Sequence, residues 1–272
     1  MRDRMAGADP DFPYLSEYQR YSFPRPDAYL SRGESIIAIG GNLSPGMLLS
    51  AYEQGIFPWY NPEDPILWQS PDPRMVLFPE KLHISASMKK VFKKSCFEFA
   101  LDRDFRGVIQ GCAAMSRPGQ QGTWITEDII AAYTELHRLG WAHSAESYQY
   151  GELVGGCYGI RLGNVFFGES MFAKRSNASK GAFLFLAQRL FADEVAFIDC
   201  QVYTDHLASL GAETMSRKAF LQVLQETLAL RRQIPYTGDL ITFYTQSDRI
   251  DRRGTWACTA LTALDSTYSR YQ

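Results

Sequence analysis

Between Ser144 and Phe172 the chain alternates apolar runs with tight glycine turns. Ser144–Tyr150 is followed by Gly151-Glu152, Leu153–Arg161 by Gly163-Asn164, and Val165–Phe172 closes the series. Such spacing predicts an antiparallel meander. A helix is expected over 179–191, then a buried strand at Val195–Asp199. Thr204 or Asp205 caps a short helix ending at Gly211, and a last helix passes through Phe220, Val223 and Leu224 to about Leu230. Three meander strands, a helix, a strand and a helix make an α+β pattern.

Upstream, the pattern changes. Eight prolines between Pro24 and Pro73 break the first 75 residues into short pieces. One helix is legible there, with Ser44 as N-cap, Pro45 at the first helical position and Gly55 at its end. Further helices are expected after Ser85, through Met88 to Ser95, and from Thr126 to Gly140. The second has an apolar stripe of Ile129, Ile130, Tyr133 and Leu136. The expected organisation is a small irregular N-terminal domain over 1–75, a more regular α+β domain over 76–231, and a weakly patterned tail over 232–272.

The 272 residues are 46% hydrophobic and carry a net charge of −2. A buried core is affordable, and any nucleic-acid contact must come from a local basic patch. Five cysteines, with no pair at CxxC spacing, suggest neither a zinc site nor a disulfide framework. The N-terminus lacks an apolar signal region and no run of 18 apolar residues occurs, so a cytoplasmic chain with no membrane span and no metal is expected.

Three features could carry chemistry. In Ile198-Asp199-Cys200-Gln201 a carboxylate ends an apolar strand, where it is costly to bury unpaired. Strand alternation puts Asp199 and Gln201 on one face and Cys200 on the other. A cysteine nucleophile paired with His206 is the weaker reading, since a Cys in an apolar strand is usually inert. Glu169 sits inside an aromatic strand, and Gly168 before it marks a possible bulge. From spacing alone, a structural role for these carboxylates outweighs a catalytic one. Finally, Lys81, Lys89, Lys90, Lys93 and Lys94 form an acid-free basic cluster, with like charges at i,i+4. An RNA backbone would offset that repulsion, although a solvated helix face is the default. Trp59 and Trp124, in Pro- or Gly-flanked loops, are candidates for stacking on unpaired bases.

An ordered series of motifs carries a resemblance: GGNLSPGMLLSAYEQGIFPWY (40–60), PILWQSPDPR (65–74), LHISASMKK (82–90), GTWIT (122–126), AHSAES (142–147), LVGGCYG (153–159), FFGESMF (166–172), NASK (177–180), IDCQ (198–201) and HLASLGA (206–212). In that order, from about Phe23 to Leu230, they resemble the leucyl/phenylalanyl-tRNA–protein transferases. The resemblance implies a small N-terminal domain plus a C-terminal domain like the GCN5-related N-acetyltransferases. It implies transfer of Leu, Phe and, less efficiently, Met from aminoacyl-tRNA to proteins starting with Arg or Lys, marking them for N-degron degradation. It implies no cofactor.

By the same resemblance, Asp199, Gln201 and Glu169 are catalytic. Gln201 orients the acceptor amine, Asp199 polarises it and Glu169 binds the cationic acceptor. Phe166, Met171, Phe183, Leu186 and Ile198 form the aminoacyl pocket. Trp59 and Trp124 hold the tRNA 3′ adenosine, and Arg74, Lys90, Lys93 and Lys94 contact phosphates. The chain departs from the pattern at Ala86, Gln69, Asn42 and the paired exchange Phe183/Leu186. The rivals are a CoA-dependent N-acetyltransferase and a non-catalytic RNA-binding protein on the same scaffold. The first is opposed by 173–180, which lacks the glycines of a pyrophosphate loop. The second is opposed by Glu169, Asp199 and Gln201 occurring together.

Overall fold

The computed structural model describes residues 12–28, 34–115 and 123–231. The tail from 232, set apart in the sequence, lies outside the described residues.

The glycine-turned runs form the centre of a seven-stranded sheet. They are β6 (Ala142–Gln149), β7 (Glu152–Leu162) and β8 (Val165–Ala173), paired antiparallel through turns at Gly151 and Gly163. The remaining strands of this sheet are β4 (Arg74–Leu77), β5 (Glu98–Leu101), β9 (Phe197–Gln201) and β10 (Glu213–Met215). The spatial order is β10-β4-β9-β8-β7-β6-β5. Three further short strands, β1 (Ile36–Ile39), β2 (Phe57–Pro58) and β3 (Leu67–Gln69), make a separate sheet in the N-terminal segment. They are too short and too interrupted by proline for period-2 alternation to reveal.

Among the described residues, seven α-helices pack with the sheets: α1 (Pro45–Glu53), α2 (Ala86–Lys93), α3 (Phe105–Ala113), α4 (Glu127–Arg138), α5 (Ala178–Ala192), α6 (Asp205–Ala208) and α7 (Arg217–Arg231). Ser85, Thr126 and Thr204 cap α2, α4 and α6 by accepting the N–H three residues on. One apolar cluster joins α1, α3, α4 and α7 through Tyr52, Phe105, Tyr133 and Phe220; the other joins α2, α5 and β9 through Phe92, Phe183, Leu186 and Ile198.

Two departures from regular pairing shape the site. Opposite β7, Tyr158 pairs with Ser170 but Gly159 pairs with Gly168, so Glu169 is left over as a bulge. The bulge is where Gly168 placed it. The second departure lies between β8 and β9, which α5 connects and which run parallel. Their pairing covers only Val165/Phe197, Phe166/Ile198 and Phe167/Asp199. Beyond that point the strands are not paired, and Gly168–Met171 and Cys200–Val202 face a cavity. The order of strands and helices is the α+β pattern expected from the sequence.

Candidate active site

The cavity encloses about 510 Å³. Phe166 and Met171 from β8 and Phe183 and Leu186 from α5 line its apolar part. Ile198, expected with them, is excluded: it is fully buried in the core cluster that also holds Phe166, and does not line the cavity. Trp59 and Trp124 both line the wall, but they differ in exposure. Trp59 is 37% exposed, whereas Trp124 is 7% exposed and packed into the core, although its segment reads as a loop. Gln69 steadies Trp59, donating from Nε2 to its carbonyl at 2.6 Å.

Glu169 is the polar centre. Its Oε1 accepts from Gln201 Nε2 at 2.8 Å and from the Tyr52 hydroxyl at 2.7 Å, and its Oε2 accepts from the Tyr133 hydroxyl at 3.3 Å. The two tyrosine hydroxyls also lie within hydrogen-bonding distance of each other; with one proton apiece they fill two of these three tyrosine contacts at a time. Burial pushes the Glu169 carboxyl up to about 7, despite these three donors, which hold it down. Burial and the adjacent Glu169 charge push Tyr52 and Tyr133 well above their ordinary value, so both remain protonated donors. Neither tyrosine was singled out in the sequence as a site residue. In the sequence Tyr133 falls in an apolar stripe, and periodicity does not report where a hydroxyl ends.

Asp199 is not where a residue acting directly on substrate would be. Its side chain is fully buried and does not line the cavity. Arg74 grips it with Nε to Oδ1 at 2.8 Å and Nη2 to Oδ2 at 2.6 Å. This also corrects Arg74. A phosphate contact needs an exposed guanidinium, and Arg74 has no exposure at all. An apolar strand-end carboxylate calls for a partner, and Arg74 is that partner.

Cys200 lines the cavity from the α5 side, where burial and the Asp199 charge push its thiol up. Alternation sets Cys200 on the face opposite Asp199 and Gln201, but the left-handed backbone at Gln201 breaks that period: Cys200 and Gln201 both line the cavity, and Asp199 does not. His206 also lines the cavity; burial and nearby Lys180 lower its pKa, which favours the neutral imidazole. Lys90, Lys93 and Lys94 lie exposed along α2 and at its C-cap, while Met88 and Phe92 turn inward; none of the three lines the cavity. No group of three or more His, Cys, Asp or Glu able to hold a metal ion occurs among the described residues. Nor is any of their helices long and apolar enough to cross a membrane.

The leucyl/phenylalanyl-tRNA protein transferase family matches residues 76–225, and the N-terminal domain of that family matches 41–72. Named leucyl/phenylalanyl-tRNA–protein transferases are close relatives. The one from Syntrophus aciditrophicus is 50% identical over 203 residues, covering 75% of this chain and 85% of its own. That of Saccharophagus degradans is 52% identical over 206 residues, covering 76% and 84%. That of Myxococcus xanthus is 49% identical over 214 residues, covering 79% and 91%. Solved structures with a distant likeness include a GCN5-related N-acetyltransferase from Kribbella flavida, at 13% identity and a TM-score of 0.32 over 64% of this chain and 62% of that one. The sequence identities over most of both chains decide the assignment: this chain belongs to the leucyl/phenylalanyl-tRNA–protein transferase family, whose members are aminoacyltransferases.

Proposed function

We propose that this chain transfers Leu, Phe and, less efficiently, Met from charged tRNA to the α-amino group of proteins that begin with Arg or Lys. The product is marked for degradation through the N-degron pathway. The observation that carries the reading is Glu169: an ionisable carboxylate, tuned to about 7, set between an apolar pocket and Gln201.

The reaction replaces an ester with an amide. The acceptor amine attacks the ester carbonyl, a tetrahedral oxyanion forms, and the tRNA 3′ oxygen leaves with the bond electrons. One proton must leave the amine and one must reach the leaving oxygen. Phe166, Met171, Phe183 and Leu186 hold the aminoacyl side chain, which fixes the carbonyl. Trp59 and Trp124 bracket the terminal adenosine, while Lys90, Lys93 and Lys94 contact the tRNA backbone electrostatically. Gln201 orients the amine. Glu169 attracts the cationic acceptor and takes its proton, because a carboxylate near 7 is a workable base at neutral pH and an amide is not.

The test uses leucyl-tRNA and two peptides, one starting with Arg and one with Ala. The expected product is a Leu-Arg peptide bond, with little or no reaction on Ala. No Leu-Arg product, or equal reaction with both, refutes the proposal.

A further inference from the structure

The guanidinium of Arg74 is closed in on all sides. Beyond its fork onto Asp199, its Nη1 donates to the Gly55 carbonyl at 3.2 Å. Its central carbon lies 4.8 Å from the centre of the Phe57 ring and 4.5 Å from that of Phe220. One side chain thus ties β4 to β9, to the turn after α1, to the cavity-lining Phe57 and to α7. Asp199 then uses Oδ1 a second time, accepting the Gln201 N–H at 2.9 Å. Gln201 has φ +62°, a left-handed conformation that a residue with a Cβ adopts only when its surroundings impose it. From that conformation its Nε2 reaches Glu169 at 2.8 Å. An aspartate accepting the N–H two residues ahead is the contact that holds such a local turn.

We infer that Arg74 and Asp199 are positioning residues. The fork fixes the carboxylate, the carboxylate fixes the Gln201 peptide, and Gln201 is thereby aimed at Glu169. The inference rests on the roles proposed above for Glu169 and Gln201. In this arrangement Asp199 acts through Gln201 and not on the substrate, since Arg74 and the Gln201 N–H occupy its oxygens and it does not line the cavity.

Two double variants test it, each first checked for a cooperative thermal melt. Arg74→Gln/Asp199→Asn removes both charges but leaves an oxygen at 199 to accept the Gln201 N–H. Arg74→Met/Asp199→Leu removes the charges and the acceptor. We read kcat, KM for leucyl-tRNA, the pH profile, and the Gln201 side-chain amide by 1H–15N NMR. The amide pair is expected to rescue kcat to within about tenfold of wild type, at an unchanged pH midpoint; the apolar pair loses on the order of a hundredfold in kcat, at unchanged KM, with its Gln201 signal displaced. An amide pair as inactive as the apolar pair, with its Gln201 signal in place, overturns the inference, because the Asp199 charge then acts in the reaction. An apolar pair with an undisplaced signal also overturns it, whether or not any variant transfers. Failure of the wild type to transfer counts against the proposed function alone. If the apolar pair does not fold, Arg74→Lys decides: the charge remains without the fork, and an unchanged kcat and Gln201 signal overturn the inference.

Discussion

Burial pushes the Glu169 carboxyl up to about 7, and it pushes the Glu146 carboxyl up to the same value. The two residues differ in what surrounds them. Glu146 is fully buried, accepts from the Ser144 hydroxyl at 2.6 Å and does not line the cavity. Glu169 borders the cavity and touches three donors. A shifted pKa therefore marks a site only where a ligand can reach it. As the proposed base, Glu169 must be ionised, so kcat is expected to fall about tenfold per pH unit below about 7. Glu169→Gln is expected to remove that limb and lower the plateau on the order of a hundredfold. A limb that survives in the variant belongs to the acceptor amine and assigns the base elsewhere. Stability moves the other way. The folded pKa lies above the ordinary 4.5, so between 4.5 and about 7 the folded state binds more protons than the unfolded chain. Stability from this group falls as pH rises through that window. Glu169→Gln is thus expected to melt higher than wild type at pH 8, while transferring more slowly.

The site elements were legible in unequal measure. The meander, α5, β9 and the helix caps follow from glycine turns, apolar runs and capping residues, and the bulge from Gly168 inside an aromatic strand. By contrast, α3 carries Gly107 and Gly111, which dilute a helical pattern, and no helix was expected there. Gly111 has a packing reason: a Cβ on it would lie 2.7 Å from the Phe172 ring. The resemblance assigns Arg74 a phosphate contact, and sequence spacing does not show that β4 joins the main sheet beside β9. Close approach also governs Gly159, opposite the bulge. A Cβ there would lie 2.2 Å from the Phe167 carbonyl and 2.5 Å from the Phe166 ring. Backbone cannot yield as a flexible side chain does, so Gly159→Ala is expected to cost about 1–3 kcal/mol and to lower the melting temperature by roughly 5 °C. Since Phe166 lines the pocket, KM for leucyl-tRNA is expected to rise as well. Calorimetry and initial rates check both, and an unchanged melt would show that β7 and β8 tolerate a wider separation.

At the scale of the molecule, the boundary read near residue 75 divides the sequence pattern, while the packing crosses it. Phe23, Tyr52, Phe57 and Trp68 belong to the same apolar cluster as Tyr133, Phe167, Phe197 and Phe220. Tyr52 reaches across to Glu169, and Arg74 to Asp199. An isolated fragment over 76–231 would lose Arg74 and leave the Asp199 charge buried without its partner, at a cost of about 3–5 kcal/mol. A whole domain is stable by only about 5–15 kcal/mol, and the fragment also exposes the face of Tyr133, Phe167 and Phe197 that the N-terminal residues cover. It is expected not to fold cooperatively. Far-UV circular dichroism against temperature, with dye binding to exposed apolar surface, checks this. A sharp melt from the fragment alone would mean that the N-terminal residues only complete the cavity wall. No cooperative melt would make them part of the fold that holds Glu169 and Gln201 in place.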